Sequence, residues 1–168
     1  VFFGEAAIEE GIFHEAANFA ALKKLPIVFV CENNLYSVYS PLSVRQPAGR
    51  PVYKVAEGLG LNTRQGDGNE VQKVHRLAKE AIQNAREGKG PSFLEFMTYR
   101  WREHCGPYYD NDVGYRTPAE FEVWKSRCPI ERGKNRLLKE GLSNQQELDQ
   151  HTQKINIEVQ EAVRFAET

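Results

Sequence analysis

Residues 1–39 read VFFGEAAIEEGIFHEAANFAALKKLPIVFVCENNLYSVY, and this stretch limits the possible folds more than any other. Val1 to Phe3 close an apolar strand that runs into Gly4-Glu5-Ala6-Ala7. A helix is predicted from about Glu9 to Lys23, its apolar face made of Ile12, Phe13, Ala16, Ala17, Ala20 and Leu22. Pro26 marks the turn. Ile27 to Cys31 is an uninterrupted apolar run, as expected of a strand covered on both faces, and it ends in Glu32-Asn33-Asn34. Two strands joined by one crossover helix lie parallel, and the polar residues after each strand then meet at one edge of the sheet. In open α/β sheets that edge is where ligands bind.

The rest of the chain extends this pattern. Pro41, Pro47, Gly49 and Pro51 predict an irregular loop carrying Arg45 and Arg50, with Arg45 placed to meet an anion or to form a salt bridge between subunits. A short helix is predicted from Val52 to Gly60, a brief strand over Leu61–Arg64, and a turn from Gln65 to Asn69. Apolar residues at helical spacing mark a helix over residues 70–86, and Ser92 to Thr98 is another strand. The aromatic and arginine-rich segment from Tyr99 to Arg116 has no period. Directly after a strand, it is a candidate lid over a site or a packing loop. Thr117-Pro118-Ala119-Glu120 is a helix start, and Pro129 begins another helix that ends near Gly141. Ser143 to Gln146 read as a capping box. The helix it starts is expected to bury Leu148, Ile155, Val159, Ala162, Val163 and Ala166. We therefore expect an α/β fold, with residues 1–116 as the sheet module and its loop and residues 117–168 as a helical region of the same domain. Because the chain opens inside a strand, it is expected to be the C-terminal part of a longer polypeptide.

Bulk properties narrow the function. A net charge of −1 gives no electrostatic case for nucleic acid or an anionic membrane as main partner. The longest apolar run is too short to span a bilayer. Three cysteines without metal-like spacing point to reduced thiols. There is no Walker A motif or nucleophile elbow, and Gly66-Asp67-Gly68 lacks the spacing of a dinucleotide fingerprint. What remains is the strand edge. Glu5 and Asn34, with a nearby backbone carbonyl, are oxygen donors of the kind Mg2+ takes. Asn33-Asn34 reads equally as a pair that merely turns the chain.

Longer motifs carry a resemblance. Gly4-Glu5-Ala6-Ala7, Glu10-Gly11, Phe13 to Ala21 (FHEAANFAA), Leu25-Pro26 and Glu32-Asn33-Asn34-Leu35-Tyr36 follow the order of a thiamine diphosphate motif. Gly66-Asp67-Gly68-Asn69, Arg86 to Pro91, Thr98-Tyr99-Arg100 and Gly114 to Thr117 continue it. The sequence resembles the α subunit of thiamine diphosphate-dependent 2-oxoacid dehydrogenases, the E1 family acting on pyruvate, branched-chain 2-oxo acids or acetoin. The resemblance implies a diphosphate-type binding module and oxidative decarboxylation of a 2-oxo acid, with the acyl group passed to a lipoyl-bearing E2 core. It implies thiamine diphosphate and Mg2+ as cofactors, and a β subunit in an α2β2 assembly that brings the carboxylate acting on the aminopyrimidine. By the same resemblance Glu5, Asn34 and the Tyr36 carbonyl are the metal ligands. Glu5, Ala6, Ala7, Asn34, Tyr36 and His104 line the cofactor, and His104 is the catalytic loop histidine. Cys105 stands where mitochondrial relatives carry a phosphorylated serine, so that regulation is not expected. Implied locations are the bacterial cytoplasm or, in a eukaryote, the mitochondrial matrix.

Two departures stand out. Glu5 replaces the family's aspartate and is one methylene longer. Ala6 replaces a glycine, adding a Cβ where a glycine-favouring conformation is expected. They keep two other readings open: a catalytically impaired homologue retained for assembly, and an unrelated Mg-nucleotide-binding α/β protein.

Overall fold

The computed structural model describes residues 1–168, which form two compact units, Val1–Cys128 and Pro129–Thr168. The first is built on a four-stranded parallel sheet of β1 (Phe2–Gly4), β2 (Val28–Asn33), β5 (Asn62–Asp67) and β6 (Ser92–Met97), in the order β1-β2-β6-β5. A 3-10 helix (Glu5–Glu9) and α1 (Gly11–Leu22) link β1 to β2. Between β2 and β5 come the small hairpin β3 (Tyr36–Ser37) and β4 (Ser40–Pro41), then α2 (Leu42–Arg45) and α3 (Val52–Gly58). The predicted irregular loop thus contains one short helix, and residues 46–51 are irregular as expected. Helix α4 (Val71–Arg86) joins β5 to β6.

Side chains alternate across each strand, so one sheet makes two cores. Phe29 and Cys31 of β2 and Phe93 of β6 face α1 and α3, joining Ile8, Phe13, Ala17, Ala20, Val52, Ala56 and Leu61. Leu94 and Phe96 face α4 through Leu77 and Ala81. Phe3, Phe13, Phe29 and Phe93 form an aromatic cluster with centroids 5.8–6.4 Å apart. The parallel, two-sided sheet matches the sequence expectation. The expected face of α1 is only partly right: Phe13, Ala17 and Ala20 are buried, while Ile12, Ala16 and Leu22 are exposed. The helix buries a narrow stripe of small residues on the sheet.

The predicted turn over residues 65–69 is confined to Gly68 and Asn69. β5 continues through Gln65, Gly66 and Asp67, paired with Glu95, Phe96 and Met97. Gly66 is there for close packing: a Cβ would lie 3.0 Å from Leu77 Cδ1 of α4. At the far end of the unit, the Thr117 side chain accepts the Glu120 N–H at 3.1 Å and starts α5 (Pro118–Lys125) as expected.

The second unit holds α6 (Pro129–Lys139) and α7 (Gln145–Glu167). Asn144, one residue after the expected cap, closes the capping box: its side chain accepts the Glu147 N–H at 3.1 Å, and the Glu147 carboxylate accepts the Asn144 N–H at 3.3 Å. Ser143 instead donates to Glu147 at 2.8 Å. Replacing Asn144 with alanine is expected to cost about 1 kcal/mol, read as reduced helical signal and earlier melting. Of the residues expected on the buried side of α7, only Leu148 is buried; Ile155, Val159 and Val163 are more than half exposed. No helix of the chain is long and apolar enough to cross a membrane.

Candidate functional site at the sheet edge

Register places the candidate ligands at one edge. Gly4 pairs with Glu32, so Glu5 leaves β1 where Asn33 ends β2. Asn33 and Asp67 both pair with Met97, which brings the ends of β5 and β6 to the same level. Glu5 and Asn33 are each 1% exposed. The meeting of the two strand ends is therefore as the sequence implied.

The two asparagines turn the chain. Asn33 Oδ1 accepts the Leu35 N–H at 3.0 Å, and Asn34 Oδ1 accepts the Tyr36 N–H at 2.9 Å. These two Asx turns hold Leu35 at φ 71°, a left-handed conformation that an L side chain adopts at a cost. Val38 is likewise at φ 55°, and its carbonyl accepts Arg100 Nη2 at 2.8 Å. Ala6, by contrast, lies in the 3-10 helix and is not among the positive-φ residues. The expected glycine-favouring conformation is absent there, and the extra Cβ causes no backbone strain.

Beneath the turn sits Glu95, which sequence reasoning passed over as part of an apolar strand. It is 1% exposed. Its Oε1 accepts Asn33 Nδ2 at 2.7 Å, and its Oε2 accepts the Tyr53 N–H and Gln65 Nε2, both at 3.1 Å. One carboxylate thus ties the end of β2 to the start of α3 and to β5. An acidic residue inside the run Phe93-Leu94-Glu95-Phe96-Met97 was the available signal, since a buried charge demands partners. Burial, then the Glu95, Glu5 and Glu32 carboxylates, push the Cys31 thiol well above its ordinary range.

Glu5 is paired. Arg45 Nη2 of α2 donates to Glu5 Oε1, and Arg45 Nη1 donates to Glu9 Oε1 at 2.6 Å. The Glu5 side chain is 2% exposed and that of Arg45 11%. Arg45 Nε also reaches the Ser40 carbonyl at 3.2 Å, and Gln46 Nε2 donates to Glu9 Oε1 at 2.8 Å. Arg45 thus makes its ion pairs within the chain, at the candidate ligand itself. His14 donates through Nε2 to the Ile8 carbonyl at 3.0 Å and has a structural role.

The segment after β6 is organised by a buried ion pair that sequence reasoning did not foresee. Arg116 donates to Asp110 Oδ1 and to the Arg100 carbonyl, and Tyr115 Oη donates to Asp110 Oδ2 at 2.7 Å. Burial opposes ionisation of Asp110, but the Tyr115 hydrogen bond and the Arg116 charge outweigh it and hold the carboxyl below its usual range. Burial, then the Asp110 hydrogen bond, push the Tyr115 phenol up to about 12. Tyr36 Oη donates to the Glu120 carboxylate at 2.8 Å, and its ring packs edge-on against Tyr115 at 5.2 Å. Burial, with the Glu120 hydrogen bond next, raises the Tyr36 phenol. A cavity of about 570 Å3 opens beside Tyr36, lined by Leu35, Pro41, Leu42, Arg50, Pro51 and Glu120. His104 is exposed, makes no hydrogen bond, and is not joined to Glu5 or Asn34 by any contact. Ala7 accepts the Glu10 N–H at 3.3 Å through its carbonyl.

The donors Glu5, Asn34 and the Tyr36 carbonyl are hard oxygens and suit Mg2+ chemically. The Glu5 carboxylate already has a guanidinium as its counter-charge on Oε1, so Arg45 and a cation would compete for its charge.

A parallel sheet covered on both faces by helices defines an α/β protein. The chain belongs to the dehydrogenase E1 component family, which it matches over residues 1–168. It is 39% identical over 166 residues to the pyruvate dehydrogenase E1 component subunit alpha-3, chloroplastic, of Oryza sativa, covering 99% of this chain and 38% of the relative. It is 35% identical over 165 residues to the pyruvate dehydrogenase E1 component subunit alpha of Porphyra purpurea, covering 98% and 47%. It is also 39% identical over 130 residues to the 2-oxoisovalerate dehydrogenase subunit alpha of Bacillus subtilis, covering 77% and 38%. The chain thus spans less than half the length of these relatives. A solved structure of a candidate thiamin diphosphate-dependent enzyme from Mycobacterium smegmatis aligns with 59% of this chain and 18% of its own, at 27% identity and a TM-score of 0.45, a likeness too partial to bear on the fold.

Proposed function

We propose that the chain is part of an α-type E1 component that decarboxylates a 2-oxo acid with thiamine diphosphate and Mg2+ and passes the acyl group to a lipoyl group. The observation that supports this reading is that Glu5 follows β1 beside the end of β2, with Asn34 and Tyr36 in the turn after β2, in a chain matched end to end by the E1 family. Relatives named for pyruvate and for 2-oxoisovalerate support a 2-oxo acid as substrate, without choosing between them. A β-type subunit and a lipoyl-bearing E2 are the partners that fit.

Glu5, Asn34 and the Tyr36 carbonyl would hold the metal. Thiamine diphosphate, when bound, supplies the electron sink that decarboxylation of a 2-oxo acid needs. This chain's own residues do the positioning. The paired Asx turns fix Asn34 and Tyr36, and Glu95 fixes Asn33 behind them. Tyr36 is anchored through its hydroxyl on Glu120, which keeps its main chain at the edge. His104, exposed in the segment after β6, would donate from a ring N–H to a phosphate or a developing oxyanion once the segment folds over the site. We place the binding module and this segment in residues 1–116.

A second reading has its own support. The Arg45–Glu5 pair occupies the leading metal ligand, as a homologue kept for assembly would tolerate. Titrating the intact protein with thiamine diphosphate and Mg2+, with its β-type partner, separates the two. Saturable binding and CO2 release from pyruvate or a branched-chain 2-oxo acid are expected. No saturable binding would overturn the enzymatic reading.

A further inference from the structure

We propose that Arg45 is a displaceable counter-ion for Glu5: it pairs with both Glu5 and Glu9 when no divalent cation is present, and releases Glu5 while keeping Glu9 when one binds. The inference rests on the proposed function in that Glu5 is taken as a cation ligand.

Three observations carry it. Glu5 is buried, and a buried carboxylate without a counter-charge is costly, so some cation must accompany it. The guanidinium present comes from α2, a four-residue helix that lies outside the sheet. Arg45 also has somewhere to go: it already bonds Glu9, whose side chain is 29% exposed, while Gln46 holds the same Glu9 oxygen at 2.8 Å. A cation arriving at Glu5 therefore displaces a guanidinium that keeps one carboxylate partner. A space of about 300 Å3 beside it, lined by Ile8, Glu9, His14, Gln46, Arg50 and Val55, gives the side chain room to swing. The arrangement has two states of Arg45, and a divalent cation prefers one of them.

The sign of the effect follows. Arg45 competes with the cation for Glu5, so removing Arg45 strengthens cation binding. Removing Glu9 takes away the alternative partner, holds Arg45 on Glu5 and weakens cation binding. Mn2+ binding to the intact protein, followed by electron paramagnetic resonance, reads both. Arg45→Gln is expected to tighten Mn2+ at least fivefold, and Glu9→Gln to weaken it at least threefold. Hydrogen exchange over residues 42–46 is expected to quicken on Mn2+ addition in the parent protein. Should Arg45→Gln fold poorly, Arg45→Lys, a shorter cation with a single point of contact, is expected to tighten Mn2+ in the same direction. Mn2+ affinity unmoved in both Arg45 variants, or a Glu9→Gln gain, would overturn the proposal. Thiamine diphosphate titrated at saturating Mn2+ tests the proposed function apart from this. Failure of the cofactor to bind, beside an Arg45→Gln gain in Mn2+ affinity, would sink the cofactor reading and leave the latch in place.

Discussion

Replacing Arg116 with methionine is expected to cost roughly 3–5 kcal/mol of stability, because it strands Asp110 as an unpaired buried carboxylate. The side chains of Arg116 and Asp110 are 1% and 3% exposed, so solvent screens little of this interaction. Methionine keeps much of the packing between Tyr99, Tyr115 and Phe121, whose rings lie 5.1–5.9 Å from the guanidinium carbon. The loss therefore reports charge rather than volume. It also depends on pH. Asp110 has a depressed pKa when folded, so its contribution is present above its unfolded value, about 3.9, and is lost as pH falls through the folded one. The gap between parent and variant should hold from neutral pH down to about 5 and narrow below about 4. Urea midpoints across that range check it; a gap under 1 kcal/mol at neutral pH, or one that widens in acid, counts against this account.

The second large effect is at Glu95. Glu95→Gln keeps the shape but converts one acceptor oxygen into a donor. Asn33 Nδ2 approaches one carboxylate oxygen, and the Tyr53 N–H and Gln65 Nε2 approach the other. Whichever way the new amide is turned, one of its N–H groups faces another N–H. Leaving the buried Asn33 amide without an acceptor costs roughly 1–3 kcal/mol. Relief from burying a charge offsets some of this, so the clearer sign is local. The Leu35 and Tyr36 amides, held by the two asparagine side chains, should exchange faster than in the parent, and the proposed metal affinity should fall with them. A variant with parent-like exchange at those amides would show that the turn does not depend on Glu95.

The sheet and its edge were legible because they follow from periodicity. Apolar runs near Val30 and Phe93, separated by helical patterns, leave little choice but parallel strands, and two polar strand ends then meet. Side-chain pairing was not legible in the same way. Arg45 is 40 residues from Glu5, and Glu95 is 62 from Asn33. Nothing local announces such partners, because they are set by how loops fold back over the edge. Asp110 and Arg116 are only 6 residues apart, yet no helical or strand period links them. Helix faces were half legible. The α1 pattern located the helix but not which of its apolar residues point inward, since small alanines on the sheet displace Ile12 and Leu22 to the surface. Gly66 misled in the other direction. It looked like a turn residue, and in the strand it makes room for Leu77.

The burial of Cys31 has a practical consequence. Cys105 is exposed, Cys128 is partly so, and Cys31 lies sealed between the sheet and the helices α1 and α3 with its thiol held protonated. A thiol reagent reaches the first at once and the third only when that core opens. The rate at which the last thiol is consumed is thus an internal clock for the parting of these helices from the sheet, needing neither probe nor mutation.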